Sequence, residues 1–179
     1  YTGSQAGLIT DSAHGAARII DVSPGRISDA LAEGAIPIVA GFQGVAQDSK
    51  DITTLGRGGS DTTAVALAAA LNADVCEIYT DVDGVFSTDP RVAPAARRVP
   101  FITYEEMMEL AAVGAKVLHQ RCVEYARRFD LPIHVRSSFS SKEGTWVMSP
   151  EAITRAIEEG RAMEQPIISG VAADVNDAK

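Results

Sequence analysis

Apolar residues in this chain fall into short β-branched runs that alternate with segments of helical character. The run at 36–42 is apolar throughout, which is typical of a strand buried on both faces of a sheet. The alanine-rich segment at 61–72 has high helix propensity and precedes a further strand-like run at 75–80. Strand, helix and strand in this order indicate parallel βαβ units. The pattern therefore predicts an α/β sandwich with a mainly parallel sheet.

Turn and capping residues set the bounds of the other predicted elements. Ser23-Pro24 starts a helix that stops at Gly34, and Thr103 opens another helix through a capping box with Glu106. Strands are predicted at 17–21, 36–42, 75–80, 132–137 and 144–148, and helices at 24–33, 61–72, 103–113, 116–129 and 150–163. The helix at 150–163 is rich in charge and is expected to be solvated. A last apolar strand is predicted at 165–172.

Composition narrows the class of protein. A chain of 179 residues with 46% hydrophobic and 22% charged residues is long enough for one domain with a core of its own. The net charge of -8 argues against a surface for nucleic acid or anionic membrane. Cys76 and Cys122 lie in apolar runs without metal-type spacing, so we expect buried free thiols in a reducing, cytoplasmic setting. The longest low-charge run, at 62–73, is too short to cross a bilayer.

The first candidate site is the loop at 55–63, LGRGGSDTT, which leads into the alanine-rich helix. A glycine-rich loop at a helix start presents backbone N–H groups and the positive end of the helix dipole to one point, which suits a carboxylate or a phosphate. Arg57 adds a two-pronged donor for an oxyanion. The alternative is that Ser60 only caps the helix and the glycines only form the turn.

The second candidate site is the loop at 81–91, which follows the strand at 75–80 at the edge where open α/β sheets bind ligands. Its two aspartates, glycine turn, aromatic ring and arginine suit a nucleotide, although an acidic surface turn is the alternative. The spacing and closing glutamate of an EF-hand are missing. Lys116 begins a predicted helix, where a cation opposes the dipole and suggests an anionic ligand. The three histidines form no metal or catalytic constellation, and His119 is expected to be structural.

Three motifs, in this order, resemble those of bacterial aspartokinases within the amino-acid kinase superfamily. They are LGRGGSDTTAVALAAALNA at 55–73, YTDVDGVFSTDPR at 79–91 and ELAAVGAKVLH at 109–119. The resemblance implies an incomplete three-layer α/β/α sandwich of the carbamate kinase-like type. It assigns 1–149 to the C-terminal, nucleotide-binding part of the kinase domain, 150–164 to a linker helix and 165–179 to the start of a regulatory ACT domain.

The resemblance also implies an activity and a set of site residues. The activity is transfer of the ATP γ-phosphate to the side-chain carboxylate of L-aspartate, with Mg²⁺, as the first step of lysine, threonine and methionine biosynthesis under allosteric control. Asp61 would organise the catalytic centre by positioning a cationic side chain, and no residue is expected to bind a metal directly. The aspartate site would consist of Arg57, Gly58, Gly59 and Ser60, and the nucleotide site of Thr80, Asp81, Phe86, Ser87, Thr88, Asp89, Pro90, Arg91, Lys116 and Val117.

Two departures from the family pattern affect these expectations. Phe86 stands where the family commonly has tyrosine, so ring packing is kept and a hydroxyl contact is lost. The family's amino-terminal lysine, glycine-rich phosphate loop and an acidic residue for the substrate amine belong upstream of Tyr1, and we expect little or no kinase activity from this chain alone. Its expected partners are the rest of the kinase domain, the ACT domains and further subunits. The alternatives are another member of the superfamily, such as glutamate 5-kinase, and a non-catalytic fragment.

Overall fold

The computed structural model describes residues 1–160 and 170–171. The chain divides into two compact units, one spanning Tyr1–Ala73 and one that begins at Asp74. Each unit contains a four-stranded mixed sheet with helices. The predicted α/β class is confirmed. The sheets are less parallel than expected, because three of the six strand pairings among the described residues are antiparallel.

The first unit is built on a sheet with the strand order β2-β1-β3-β4. Its elements are β1 Leu8–Thr10, β2 Ile19–Val22, α1 Gly25–Ala32, β3 Gln43–Ala46, β4 Ile52–Thr54 and α2 Gly59–Ala70. Strands β1 and β3 pair in parallel, and the two outer pairings are antiparallel. Ala6, Ile27 and Leu67 form a buried apolar cluster that joins both helices to the strand region.

The second unit has the strand order β5-β7-β8-β6. Its elements are β5 Cys76–Thr80, β6 Phe101–Thr103, α3 Tyr104–Ala112, α4 Gln120–Arg128, β7 Ile133–Ser137, β8 Thr145–Met148 and α5 Pro150–Glu158. The pairs β5–β7 and β6–β8 are parallel, and β7–β8 is antiparallel. The predicted capping box is present: Thr103 accepts the Glu106 N–H, and the Glu106 carboxylate accepts the Thr103 N–H. Helix α3 packs on α4, and both cysteines are buried and form no disulfide.

The strand predicted at 36–42 is not formed, and that prediction was wrong. Ile36 and Ile38 are 90% and 81% exposed. Pro37 has no N–H to give to a sheet. Phe42 takes a left-handed φ of 76°, which ends the extended run. The strand of this region is β3, and the antiparallel pair β3–β4 was not predicted because its short segments carry a glycine and little apolar pattern.

The start of α4 and the burial of α5 also differ from the prediction. Helix α4 starts at Gln120 rather than 116, because His119 caps it with its ring nitrogen Nδ1 accepting the Arg121 N–H at 3.3 Å. His119 is therefore structural, as expected. Helix α5 is not fully solvated, since Ile153 and Ala156 are buried against β6 and β8. Most of the strand predicted at 165–172 lies outside the described residues. No helix in the described part of the chain is long and apolar enough to cross a membrane.

Candidate functional site

The glycine-rich loop of the first unit forms the start of α2. Gly58 is the N-cap residue and has a left-handed φ of 70°, which is favourable only for a residue without a Cβ. No side chain caps this helix end, so the suggestion that Ser60 serves only as a cap is wrong. Ser60 is exposed in the first turn. The Gly59 N–H donates to the Gly56 carbonyl at 3.0 Å. The Ser60 N–H and the positive end of the helix dipole are therefore the features of this helix start that suit an anion.

Charged groups on either side of this helix start complete the arrangement. Asp61 lies half-buried in the first turn, where the dipole favours a negative charge. Arg57 precedes the N-cap, is exposed, and has no carboxylate within ion-pair distance in the described part of the chain. A carboxylate that binds at the helix start could therefore also accept hydrogen bonds from the Arg57 guanidinium.

A neighbouring segment that sequence reasoning missed lies against this loop. A Cβ on Gly59 would come within 2.8 Å of the Phe42 ring, and one on Gly41 within 3.3 Å of Ser60 Cα. Thr63 fixes this approach: its buried hydroxyl donates to the Gly59 carbonyl at 2.8 Å and accepts the Phe42 N–H at 3.1 Å. Gly41 and Phe42 thus form a wall beside the proposed carboxylate site. A left-handed aromatic residue leaves no signal in the sequence.

In the second unit the loop at 81–91 starts at the carboxyl end of β5. The Thr80 hydroxyl donates to the Asp81 carboxylate at 3.1 Å, and Asp81 is exposed. Val85 is buried, and its N–H donates to the Thr145 hydroxyl at 2.8 Å, while the same hydroxyl donates to the Val99 carbonyl at 2.6 Å. A single threonine on β8 therefore joins this loop to Val99, in the segment that leads into β6.

The middle of the loop is held by backbone pairing. Phe86 pairs with Arg98 as an isolated antiparallel bridge. The Ser87 N–H donates to the Arg97 carbonyl at 2.8 Å, and the Ser87 hydroxyl accepts the Arg97 N–H at 3.1 Å. The described residue Val171 also donates its N–H to the Ser87 carbonyl at 2.6 Å. Phe86 is thus presented from a fixed backbone rather than from a mobile turn.

The charged end of the loop is dominated by a bidentate ion pair. Asp89 accepts three hydrogen bonds from the Arg91 guanidinium, the shortest 2.7 Å. These bonds, with the Arg91 N–H, lower the pKa of Asp89 to about 2. The Arg91 side chain is 85% exposed. Arg91 was predicted to contact the nucleotide, and here it is held by an acid of its own loop.

The candidate nucleotide residues lie in one electrostatic neighbourhood. The charge of Lys116 contributes to the lowered pKa of Asp89, and the charge of Asp81 contributes to the raised pKa of Arg91. Lys116 lies in the segment between α3 and α4, is exposed, and has no carboxylate within ion-pair distance among the described residues. Val117 follows it and is half-buried, as are Thr88 and Asp89, whereas Pro90 is exposed. This edge of the sheet therefore carries an exposed lysine, Lys116, and an exposed ion pair between Asp89 and Arg91.

Comparisons with known proteins identify relatives of the whole chain. The model of the amino acid kinase family matches residues 1–137. An aspartokinase of Mycolicibacterium smegmatis is 64% identical over all 179 residues, and one of Mycobacterium tuberculosis is 62% identical. The chain spans 41% of the length of each. Escherichia coli aspartokinase III, solved in complex with aspartate and ADP, superposes with a TM-score of 0.76 at 38% identity, over 83% of this chain and 34% of that one.

Proposed function

The chain belongs to the amino acid kinase family, and on that basis we propose that the protein it represents is an aspartate kinase. The reaction is transfer of the γ-phosphoryl group of ATP to the side-chain carboxylate of L-aspartate, which forms 4-aspartyl phosphate for lysine, threonine and methionine biosynthesis. Identity of 62–64% to two aspartokinases over all 179 residues supports this substrate. In this proposal 1–149 belongs to the kinase domain, 150–164 is a linker and 165–179 begins a regulatory domain.

The observation that carries the proposal is the start of α2, which no side chain caps, beside Arg57, which has no ion-pair partner among the described residues. An aspartate has two carboxylates, and one of them would be held by the guanidinium of Arg57 and the Ser60 N–H at the positive end of α2. A Cβ at Gly59 would lie 2.8 Å from the Phe42 ring and 2.9 Å from the Leu55 Cβ, so this packing requires glycine there. The Ser60 hydroxyl would add a neutral donor. Asp61 would position a cationic group rather than accept a proton.

The reaction itself needs charge neutralisation more than proton transfer. The nucleophile is a carboxylate, which is already ionised near neutral pH, so no general base is required. The barrier is lowered by holding two anions in line and by stabilising the charge on the transferred group. Lys116 would contact the phosphates, and Arg91 would join it when it leaves Asp89. Phe86 and Val117 would supply apolar contacts to the nucleoside.

Magnesium fits this site as a companion of the nucleotide. Mg²⁺ in kinases is bound largely by phosphate oxygens and water with one or two carboxylates, and it neutralises phosphate charge. Asp81 is exposed beside Thr80 and has the oxygen chemistry for such a contact. Within residues 1–160 and 170–171 no group of three His, Cys, Asp or Glu side chains could bind an ion without a nucleotide.

A calorimetric titration of the chain with ATP and Mg²⁺ tests the nucleotide assignment. We expect saturable binding that weakens in Lys116→Ala, because that variant loses a cation with no other partner. Lys50→Ala is the matched control, since Lys50 is an exposed lysine in the β3–β4 turn of the other unit. Equal binding by both variants and the unchanged protein would contradict the role of Lys116.

Arginine modification tests the amino acid substrate. L-aspartate should protect Arg57 from an arginine-directed reagent, and L-glutamate, which is one methylene longer, should protect it poorly. Protection by glutamate alone would favour a glutamate kinase. If neither amino acid protects Arg57 and Arg57→Ala changes no ligand behaviour, the loop is a structural turn.

A further inference from the structure

A second loop begins beside the candidate nucleotide loop. Strands β5 and β7 are parallel and in register to their last residues, Thr80 and Ser137. The next N–H, of Ser138, donates to the Thr80 carbonyl at 2.8 Å. The two strands therefore end at the same edge of the sheet, and the β7–β8 loop, residues 138–144, leaves that edge next to the loop at 81–91.

The two loops are fastened by a carboxylate that the proposed catalytic machinery does not use. Asp83 accepts the Lys142 ammonium at 2.6 Å on one oxygen and the Ser140 hydroxyl at 2.7 Å on the other. These contacts lower the pKa of Asp83, so its carboxylate is ionised at neutral pH. This contact joins Asp83, the third residue of the loop at 81–91, to the middle of the seven-residue β7–β8 loop.

The far end of the β7–β8 loop is also tied down. The Arg98 guanidinium donates to the Gly144 carbonyl. Gly84 packs so closely on β8 that a Cβ there would be 2.5 Å from the Thr145 hydroxyl oxygen. The loop therefore has a fixed position relative to Phe86, which bridges to Arg98.

The aromatic ring of Phe139, in the β7–β8 loop, is largely exposed to solvent. Phe139 is 84% exposed, although its N–H is bonded to the Ser137 hydroxyl at 3.1 Å. Exposing an aromatic ring to water is unfavourable, and a ring at the carboxyl edge of a sheet is well placed to pack on a planar ligand. Phe129, also exposed, differs in that it packs on Tyr125 with ring centroids 5.0 Å apart.

We propose that the β7–β8 loop is a second wall of the nucleotide site, in which Phe139 packs on the base of the nucleotide and the Asp83–Lys142 pair positions the loop. This inference rests on the proposed function, because it requires that ATP binds at the edge formed by β5 and β7. The chemical class recognised by Phe139 is the purine base. Asp83 and Lys142 act through the position of the loop and do not contact the phosphates.

Titration of two ligands into the whole chain separates base contact from phosphate contact. Phe139→Ala should weaken binding of ATP with Mg²⁺ by about tenfold, the usual scale for losing a base–aromatic stack. It should leave binding of inorganic tripolyphosphate with Mg²⁺, which has no base, unchanged. Phe139→Tyr should bind ATP like the unchanged protein, and the control Phe129→Ala should do so as well. The melting temperature of Phe139→Ala should change little, since the residue is 84% exposed.

The positioning pair is tested by exchange of its charges. Lys142→Met should weaken ATP binding by about threefold, which is modest because an exposed ion pair is weak. The double variant Asp83→Lys/Lys142→Asp should recover most of that loss. Arg127→Met, which breaks the surface pair between Arg127 and Glu105 at 3.4 Å, is the control and should have no effect.

The outcomes distinguish this inference from the proposed function. If the unchanged chain binds neither ATP nor tripolyphosphate, the nucleotide assignment fails and the second wall fails with it. If the unchanged chain binds ATP and Phe139→Ala binds it equally well, only the second wall is overturned. Equal losses for ATP and tripolyphosphate in Phe139→Ala would also overturn it, because they would show a general change in the loop rather than contact with the base.

Discussion

Replacement of Thr145 by valine should weaken the second unit more than its small chemical change suggests. Valine has the same shape but lacks the hydroxyl that accepts the Val85 N–H and donates to the Val99 carbonyl. Both partners are buried, with exposures of 2% and 6%, so water cannot replace the bonds. An unpaired buried N–H costs about 1–3 kcal/mol, and we expect a loss of about 2 kcal/mol in the free energy of unfolding.

Urea denaturation followed by the fluorescence of Trp146, the only tryptophan in the sequence, measures this loss in the unit concerned. With a slope of about 2 kcal/mol per molar urea, the midpoint should fall by roughly 1 M. Thr145→Ser keeps the hydroxyl and should lose less. Thr154→Val is the matched control, because the Thr154 hydroxyl is exposed on α5 and donates only to the Pro150 carbonyl. A Thr145→Val midpoint equal to that of Thr154→Val would refute the reasoning.

Three further predictions concern other sites. Gly59→Ala places a Cβ within 2.8 Å of the Phe42 ring and should cost about 1–3 kcal/mol in urea denaturation. Tyr104→Phe should leave the free energy of unfolding equal or higher, because the buried Tyr104 hydroxyl has no hydrogen-bond partner among the described residues and burial raises its pKa. Arg91 lowers the pKa of Asp89 to about 2. The ion pair therefore contributes stability above the ordinary pKa of 3.8, and this contribution is lost as the pH falls towards 2. An NMR titration of Arg91→Gln should show an Asp89 pKa nearer 3.8.

Each of these has a control or a contrary outcome. Gly25→Ala is the control for Gly59→Ala, since a Cβ at Gly25 meets nothing within 4 Å. Equal free energies of unfolding for the two variants would contradict the predicted clash with Phe42. A loss of more than about 1 kcal/mol in Tyr104→Phe would indicate a hydrogen bond to the hydroxyl. An Asp89 pKa that stays near 2 without the Arg91 guanidinium would show that another group lowers it.

Local signals in the sequence predicted much of the fold. The capping box at Thr103 located α3, and the alanine-rich run located α2, because both depend on residues within one or two turns of each other. The strand at 36–42 failed because an apolar run alone does not decide strand pairing. Pro37 lacks the N–H that a sheet requires, and the left-handed φ of Phe42 ends the extended backbone, so no strand forms despite the apolar pattern. The pairing of β3 with β4 could not be predicted, because a four-residue strand that contains a glycine has too little apolar alternation to indicate a strand.

In the candidate sites, features formed by neighbouring residues were predictable and contacts between distant residues were not. Glycines and charges that are contiguous in sequence, as at 56–61, identify a helix start for an anion without knowledge of the fold. Contacts between distant residues were not accessible: Thr145 lies 60 residues from Val85, and Phe42 lies 21 from Thr63. The ion pair between Asp89 and Arg91 is local, yet the sequence alone did not show that the arginine would be held by the acid.

The alkylation rate of Cys122 reports local unfolding of the segment that contains Lys116. Its thiol is fully buried and donates to the carbonyl of His119, the N-cap of α4. A buried thiol reacts with alkylating reagents only when the surrounding structure opens, so the labelling rate reports the frequency of local unfolding. A ligand that orders the turn between α3 and α4 lowers that frequency. If the nucleotide binds at Lys116 as proposed, the rate of alkylation at Cys122 would measure its occupancy without catalysis and without a labelled ligand.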